Sequence, residues 1–129
     1  MSLLDYDVDS VPELTTMAAG AHQVKIVSAE IRQQKPEKGT SSFLYLRLVP
    51  TEDPNAKDIG HVIMLPDDNK DERENNSRLR RLKEFVMAFG LQIPLDTDTM
   101  TDAVGVGVLS QEDDEEYGEQ NRIRRFLVN

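Results

Sequence analysis

The sequence SFLYLRLV, residues 42–49, decides the fold of this chain. Every second residue of this stretch is a leucine: Leu44, Leu46 and Leu48. The residues between them are two aromatic side chains and one arginine: Phe43, Tyr45 and Arg47. Successive side chains of a strand point to opposite faces of a sheet. We therefore expect the leucines to fill a core and the other three side chains to share an outer face.

Another strand is predicted before this stretch, in residues 21–32. On one face of this strand, expected to point to the core, are His22, Val24 and Ile26. On the other face are Gln23, Lys25 and Val27. The alternation slips at Ser28 and Ala29, which indicates a β-bulge or a strong bend. A polar loop containing proline and glycine, residues 33–40, then leads into residues 42–49.

A third, short strand and a helix follow. Gly60–Leu65 predicts the strand, which Pro66 ends. Ser77 is expected to cap a helix that runs to Phe89 and stops at Gly90. The core-facing stripe of this helix is predicted to contain Leu79, Leu82, Val86 and Phe89, with Phe85 beside them. Its other face carries basic side chains, interpreted as a solvated surface: Arg78, Arg80, Arg81 and Lys83.

The last two strands are predicted to form a hairpin. Val104, Val106 and Val108 alternate with two glycines, so we expect the valines to face inward and the outer face to lack side chains. The acidic residues 110–119 are interpreted as the hairpin loop, and residues 121–128 as the terminal strand.

Five antiparallel strands with a helix between the third and the fourth are typical of the OB-fold, a partly open Greek-key barrel. The sequence therefore predicts an all-β fold with one helix, a five-stranded OB-fold Greek-key barrel. Residues 1–129 form a single domain in this prediction, with an acidic N-terminal arm at 1–19 and the barrel at 20–129. The arm either docks on the body or frays. The alternative fold is a small mixed sheet built from the same elements.

The composition excludes several classes of function. The chain of 129 residues contains no cysteine, so disulfides, thiolate metal sites and thiol nucleophiles are excluded. No nucleophile, base and orienting acid can be assembled, and the two histidines, His22 and His61, fall in strand segments. We therefore expect no enzyme activity, no metal and no cofactor. The lack of a long apolar run and of a secretory signal predicts a cytoplasmic protein without a membrane partner.

The net charge of −9 is local rather than spread along the chain. Residues 1–19 carry four acidic side chains and no basic one. Residues 110–119 carry six acidic side chains, again with no basic one. The rest of the chain holds 14 acidic and 15 basic residues, so the body of the protein does not exclude an anionic partner.

The outer face of residues 42–49 is the strongest candidate for a binding site. Unpaired bases stack on aromatic rings while a guanidinium contacts the phosphate backbone. Phe43, Tyr45 and Arg47 therefore suit single-stranded nucleic acid. The alternative is that the N-terminal arm or the helix covers the two rings, which then form a second small core.

The terminal strand, NRIRRFLV at 121–128, repeats this pattern. If Ile123 and Leu127 face inward, the outer side holds a basic and aromatic set: Arg122, Arg124 and Phe126. The same alternation would bury Arg125. With Lys25 of the first strand, the candidate nucleic-acid-binding residues are Lys25, Phe43, Tyr45, Arg47, Arg122, Arg124 and Phe126.

Four segments together resemble the small single-stranded DNA-binding proteins encoded by bacteriophages. They are Gly20 with the following QVKI, the strand FLYLRL, the helix RLKEFVMAFG and the closing segment YGEQNRIRRFLV. The resemblance implies an OB-fold that binds single-stranded DNA without sequence preference in phage DNA replication or recombination, in the host cell cytoplasm. It also implies that Phe43, Tyr45 and Arg47 lie on the binding strand, with Arg122, Arg124 and Phe126 beside it.

The resemblance further implies replication or recombination proteins as partners and leaves a homodimer open. Two features depart from it. Many such proteins carry an acidic C-terminal tail, whereas here acidic residues stand in the N-terminal arm and in the loop 112–119. His22 occupies a position where relatives often have an aromatic residue.

Two other functions fit the same sequence. The acidic segments suit a protein-interaction module, such as a phage inhibitor or an adaptor that binds a host factor. A structural protein of a virion or tail is the third possibility.

Overall fold

Five β-strands and one α-helix form the fold over the residues that the structure, a computed structural model, describes: 3–128. In chain order these elements are β1 (Gly20–Gln33), β2 (Ser42–Pro50), β3 (Ile59–Met64), α1 (Glu72–Phe89), β4 (Val104–Asp114) and β5 (Gly118–Leu127). The predicted number of strands and the predicted place of the helix are confirmed.

The strands form one antiparallel sheet in the order β3-β2-β1-β4-β5. The sheet is not closed, because β3 and β5 are its two edges. These edges nevertheless approach within 8 Å between Cα atoms. A narrow gap, the β3–β5 seam, therefore separates them, and α1 packs against β3, β4 and β5 along it.

Strand β1 bends where the sequence predicted a slip. Its register against β2 shifts between Ile26 and Ser28, which leaves Val27 as the extra residue of a bulge. The first part of β1 pairs with β4 from Gly20 to Lys25, and β1 pairs with β2 from Val24 to Gln33. The bulge thus lets one strand serve both halves of the curled sheet.

Strand β2 has the predicted orientation. Its three leucines are buried in the core: Leu44, Leu46 and Leu48. Phe43 and Tyr45 are half-buried on the opposite face, and Arg47 on that face is exposed.

Strand β4 is turned over relative to its prediction. Gly105 and Gly107 face the core, and the valines between and beside them are half-buried or exposed. A Cβ on Gly105 would lie 3.0 Å from the carbonyl oxygen of Ala88 and 3.1 Å from the ring of Phe89. The prediction of inward valines is wrong because α1 lies so close to β4 that only glycine fits between them.

Helix α1 begins earlier than predicted. Asp71, rather than Ser77, is the N-cap, and its side chain accepts a hydrogen bond of 2.8 Å from the Glu74 N–H. Gly90 ends the helix with a φ of 63°, as expected of a C-terminal stop. Phe85 and Phe89 are its buried apolar residues.

Two further predictions about this helix are wrong. Leu79, expected in the core stripe, is 47% exposed, and Arg78, expected on the solvated face, is buried.

Nowhere in residues 3–128 does a helix combine the length and the apolar character needed to cross a membrane.

The N-terminal arm attaches to the body through residues 15–17. The Thr15 N–H donates to the Asn55 carbonyl and the Lys57 N–H donates to the Thr15 carbonyl, each at 2.8 Å. The side chain of Asn121 bonds both the N–H and the carbonyl of Met17 at 2.8 Å. Residues 3–14 keep six apolar side chains 67–89% exposed: Leu3, Leu4, Tyr6, Val8, Val11 and Leu14.

Candidate nucleic-acid interface

Phe43, Tyr45 and Arg47 form a row on the outer face of β2, which we call the β2 face. The pairing of the sheet gives each ring two neighbours. Tyr45 lies between Glu30 of β1 and Val62 of β3. Phe43 lies between the β1 and β3 residues Arg32 and Met64. The two rings therefore sit in the middle of a three-stranded surface.

Tyr45 is held by its neighbours in the sheet. The Arg32 guanidinium carbon lies 4.2 Å from the centroid of the Tyr45 ring, and Arg32 also pairs with Glu30. Gly60 leaves room for the phenol, since a Cβ there would lie 3.1 Å from the Tyr45 hydroxyl oxygen. Neither Tyr45 nor Phe43 belongs to the core cluster. The Arg32 guanidinium therefore covers part of the Tyr45 ring.

The two predicted cations of this surface, Arg47 and Lys25, each have a carboxylate partner. Arg47 Nη2 donates to Asp58 Oδ2 at 2.7 Å, and both side chains are about half exposed. Lys25 shares the outer face of the sheet, at the far end of the row beside Val49, with its Nζ 4.0 Å from Asp102 Oδ1. Exposed pairs of this kind contribute little to stability, so a phosphate can compete for either cation.

Phe126 is not on an outer face, and its predicted placement is wrong. It is 5% exposed, and its ring centroid lies 5.2 Å from that of Phe89 and 5.3 Å from that of His61. The cause is a register shift: Leu109 pairs with Ile123 while Val108 pairs with Arg125.

Arg124 is therefore the extra residue of a bulge in β5. The bulge places Ile123 and Phe126 on the core face although they are three residues apart. It also leaves Arg125 exposed, where strict alternation would have buried it.

Arg122 and Arg124 are exposed as predicted, but they do not lie beside β2. Within the sheet β1 and β4 separate β5 from β2, and across the seam β3 does. Arg122 pairs with Glu112 through Nε and Oε2 at 3.6 Å. The structure thus brings together Phe43, Tyr45 and Arg47, with Lys25 on the same face, and places the β5 arginines elsewhere.

A groove that the sequence did not predict lies in the β3–β5 seam. We call it the seam groove; its volume is about 410 Å³, and it is lined by residues 61–64 of β3, Arg81 and Glu84 of α1, and residues 124–126 of β5. The groove combines arginines from two elements that are far apart in sequence. The one signal for it was the density of arginine in RIRR, whose orientation depends on the bulge.

Two polar groups of this groove are already engaged or neutral. Glu84 Oε1 accepts a hydrogen bond of 3.1 Å from the Phe126 N–H, a donor that the open sheet edge leaves unpaired. Burial lowers the pKa of His61 from its ordinary value of 6.5, so the imidazole is neutral at pH 7. The positive charge of the groove therefore comes from its arginines.

Comparison of the sequence with known families finds no family model that matches this chain. Comparison with curated proteins finds no significant match.

Proposed function

We propose that this chain binds single-stranded DNA without sequence preference through the β2 face. The orientation of β2 carries the proposal: its leucines fill the core, so Phe43, Tyr45 and Arg47 share the opposite side of the sheet. A surface with two rings and a guanidinium in one row matches the stacking and phosphate contacts that unpaired nucleic acid offers.

The arrangement of the strands supports an OB-fold interpretation. Five antiparallel strands, a helix between the third and fourth, and two edge strands that approach each other are features of a partly open five-stranded barrel. OB-folds bind oligonucleotides on the face of their second and third strands. In this chain that face is the one that carries Phe43 and Tyr45.

The chemistry expected at the β2 face is stacking with electrostatic support. Each base stacked on an aromatic ring contributes about 1–3 kcal/mol. Arg47 would exchange Asp58 for a phosphate, and the guanidinium of Arg32, which covers the Tyr45 ring, would move aside for a base to stack there. Stacking does not read base edges, so this surface suits coating of unpaired DNA without sequence preference. The resemblance to phage single-stranded DNA-binding proteins implies that this coating serves phage replication or recombination.

Titration with oligothymidine tests the proposal. The double variant Phe43→Ala, Tyr45→Ala removes two stacking rings, so we expect affinity to fall by roughly 30-fold or more at fixed salt. The matched control is Leu4→Ala, Tyr6→Ala, which truncates two exposed apolar side chains of the N-terminal arm, one of them a ring, and should leave affinity unchanged. Affinity of the unchanged protein should also fall steeply as salt rises.

Two results would contradict the proposal. If the Phe43, Tyr45 variant unfolds, as judged by circular dichroism, the rings are core residues. If the unchanged protein does not bind oligothymidine even at low salt, the β2 face is not a DNA surface.

A protein-interaction module is the second candidate function, and the arm is the observation that favours it. Residues 3–14 expose six apolar side chains among four acidic ones, a composition suited to a partner with an apolar and basic surface. Deletion of residues 1–14 should then abolish binding to the partner while leaving oligothymidine binding intact.

A further inference from the structure

Among residues 3–128, the seam groove gathers three arginines that have no acidic partner. Four of the nine arginines pair with a carboxylate of these residues: Arg32, Arg47, Arg78 and Arg122. Within residues 3–128, no carboxylate oxygen lies within 4.0 Å of a side-chain nitrogen of Arg81, Arg124 or Arg125. All three line the same groove.

The acid in the groove lining, Glu84, forms no ion pair with them. Glu84 lines the groove, but its Oε1 accepts from the Phe126 N–H instead of from a guanidinium. Three arginines around one half-open space repel one another, and an anion between them removes that repulsion. Guanidinium groups bind phosphate oxygens through paired, charge-assisted hydrogen bonds.

We propose that the seam groove binds the phosphate groups of a phosphodiester or polyphosphate chain, held by Arg81, Arg124 and Arg125. The assignment of that chain to DNA rests on the proposed function. The groove then gives the strand a phosphate site separate from the β2 face.

The two surfaces are close enough for one DNA strand to occupy both. Val62 and Met64 of β3 line the groove, and in the sheet they pair with Tyr45 and Phe43. Neighbouring strands lie about 4.8 Å apart, so the rings and the groove are separated by roughly one strand width. A nucleic acid strand that crosses the sheet from β2 to β3 therefore reaches the seam next.

Calorimetric titration with two probes tests the groove. The first probe is an abasic deoxyribose-phosphate oligomer, which has phosphodiesters but no bases to stack; the second is inorganic tripolyphosphate. For Arg124→Ala, Arg125→Ala we expect affinity for the abasic oligomer to fall about tenfold or more, since hydrogen bonds to charged groups are lost. The log–log salt slope should shrink by about 0.7 for each phosphate contact removed.

The matched control is Lys70→Ala, Arg73→Ala. These two cations are exposed, lie outside the groove at least eight residues before Arg81, and change the net charge by the same amount. We expect this control to change affinity less than about twofold, because exposed charges farther away than a Debye length are screened by salt. Equal losses in the two double variants would overturn the proposal, since the effect would then follow net charge alone. No loss in either would overturn it as well.

The double variant could misfold β5, so a single substitution on α1 provides a second test. Arg81→Ala should weaken binding of the abasic oligomer without changing the unfolding midpoint. If the Arg124, Arg125 variant is unfolded and Arg81→Ala binds like the unchanged protein, the groove is not the site.

The failure of the two proposals can be told apart. If binding of the abasic oligomer depends on the groove arginines, the groove proposal is supported. If Phe43→Ala, Tyr45→Ala leaves oligothymidine affinity intact, only the proposal for the β2 face is contradicted. Binding of tripolyphosphate but not of the abasic oligomer would keep the anion site and overturn its assignment to DNA.

Discussion

Arg78 and Arg81 lie three residues apart on α1 and have opposite surroundings. Arg78 is 7% exposed, and its Nη1 donates to the Ser41 hydroxyl at 2.7 Å and to the Leu65 carbonyl at 2.8 Å. Arg81 is exposed at the rim of the seam groove. A guanidinium whose donors are satisfied inside the protein holds the fold together, whereas one without partners is available to a ligand.

The surroundings of Arg78 form a connected polar network. Ser41 donates in turn to Asp67 Oδ2 at 2.8 Å, and Thr40 donates to the same oxygen at 2.6 Å. The network joins the connection between β1 and β2 to the segment between β3 and α1. In the part of the chain that the structure describes, Arg81 takes part in no such network, so substitution of Arg78 and of Arg81 should affect stability differently.

The largest effect is expected at Arg78. Arg78→Ala leaves the buried Ser41 hydroxyl and Leu65 carbonyl without their donor, so the free energy of unfolding should fall by roughly 2–4 kcal/mol. Arg81→Ala should change it by no more than about 0.5 kcal/mol. Urea unfolding of both variants measures this. Similar losses of unfolding free energy in the two variants would show that the buried network of Arg78 does not stabilise the fold.

A smaller, pH-dependent effect is expected at Asp67. Hydrogen bonds from the Thr40 hydroxyl, the Asn69 N–H and the Ser41 hydroxyl lower the pKa of Asp67 from 3.8 to about 2. Because the folded state binds this proton less readily than the unfolded state, the contribution is present above pH 3.8 and is lost as the pH falls towards about 2.

Between pH 3.8 and about 2, the stability of Asp67→Asn should therefore fall less steeply than that of the unchanged protein. We call this part of the curve of stability against pH the acid limb. Urea midpoints across the acid range measure it. Asp68→Asn, an exposed neighbour, is the control and should keep the limb of the unchanged protein. An acid limb that is equally steep in Asp67→Asn would show that the network does not hold this carboxylate in its charged form.

The smallest effect is expected at the seam, at His61. Burial lowers the pKa of His61 below 6.5, so the unfolded chain binds the proton more readily and stability falls as the pH drops through 6.5. His61→Phe keeps a ring against Phe126 and removes this proton. Unfolding at about pH 7.5 and about pH 5.5 should show a smaller loss for the variant than for the unchanged protein. An unchanged loss would mean that His61 is solvated in the folded protein.

The features that sequence reasoning predicted depend on neighbouring residues within one strand. The alternation of residues 42–49 placed Phe43 and Tyr45 correctly, and the slip predicted at Ser28 and Ala29 lies next to Val27, the extra residue of the β1 bulge. Each of these patterns is local, because a strand repeats every two residues whatever its partner is.

The features that were missed depend on how separate elements meet. The β5 bulge follows from the pairing with β4, so strict alternation misplaced Phe126. Gly105 marked a close approach of α1, which the sequence of β4 alone does not identify. The seam groove joins residues of β3, α1 and β5, so no single segment contained its signal.

The unpaired edges of β3 and β5 have one more consequence. A ladder of hydrogen bonds between them would complete the cylinder and satisfy the Phe126 N–H through another backbone instead of through Glu84. It would also eliminate the cleft in which three arginines now gather. The open seam therefore leaves room for the groove at some cost in rigidity. A variant in which β3 and β5 pair directly should be more stable and should bind anions more weakly.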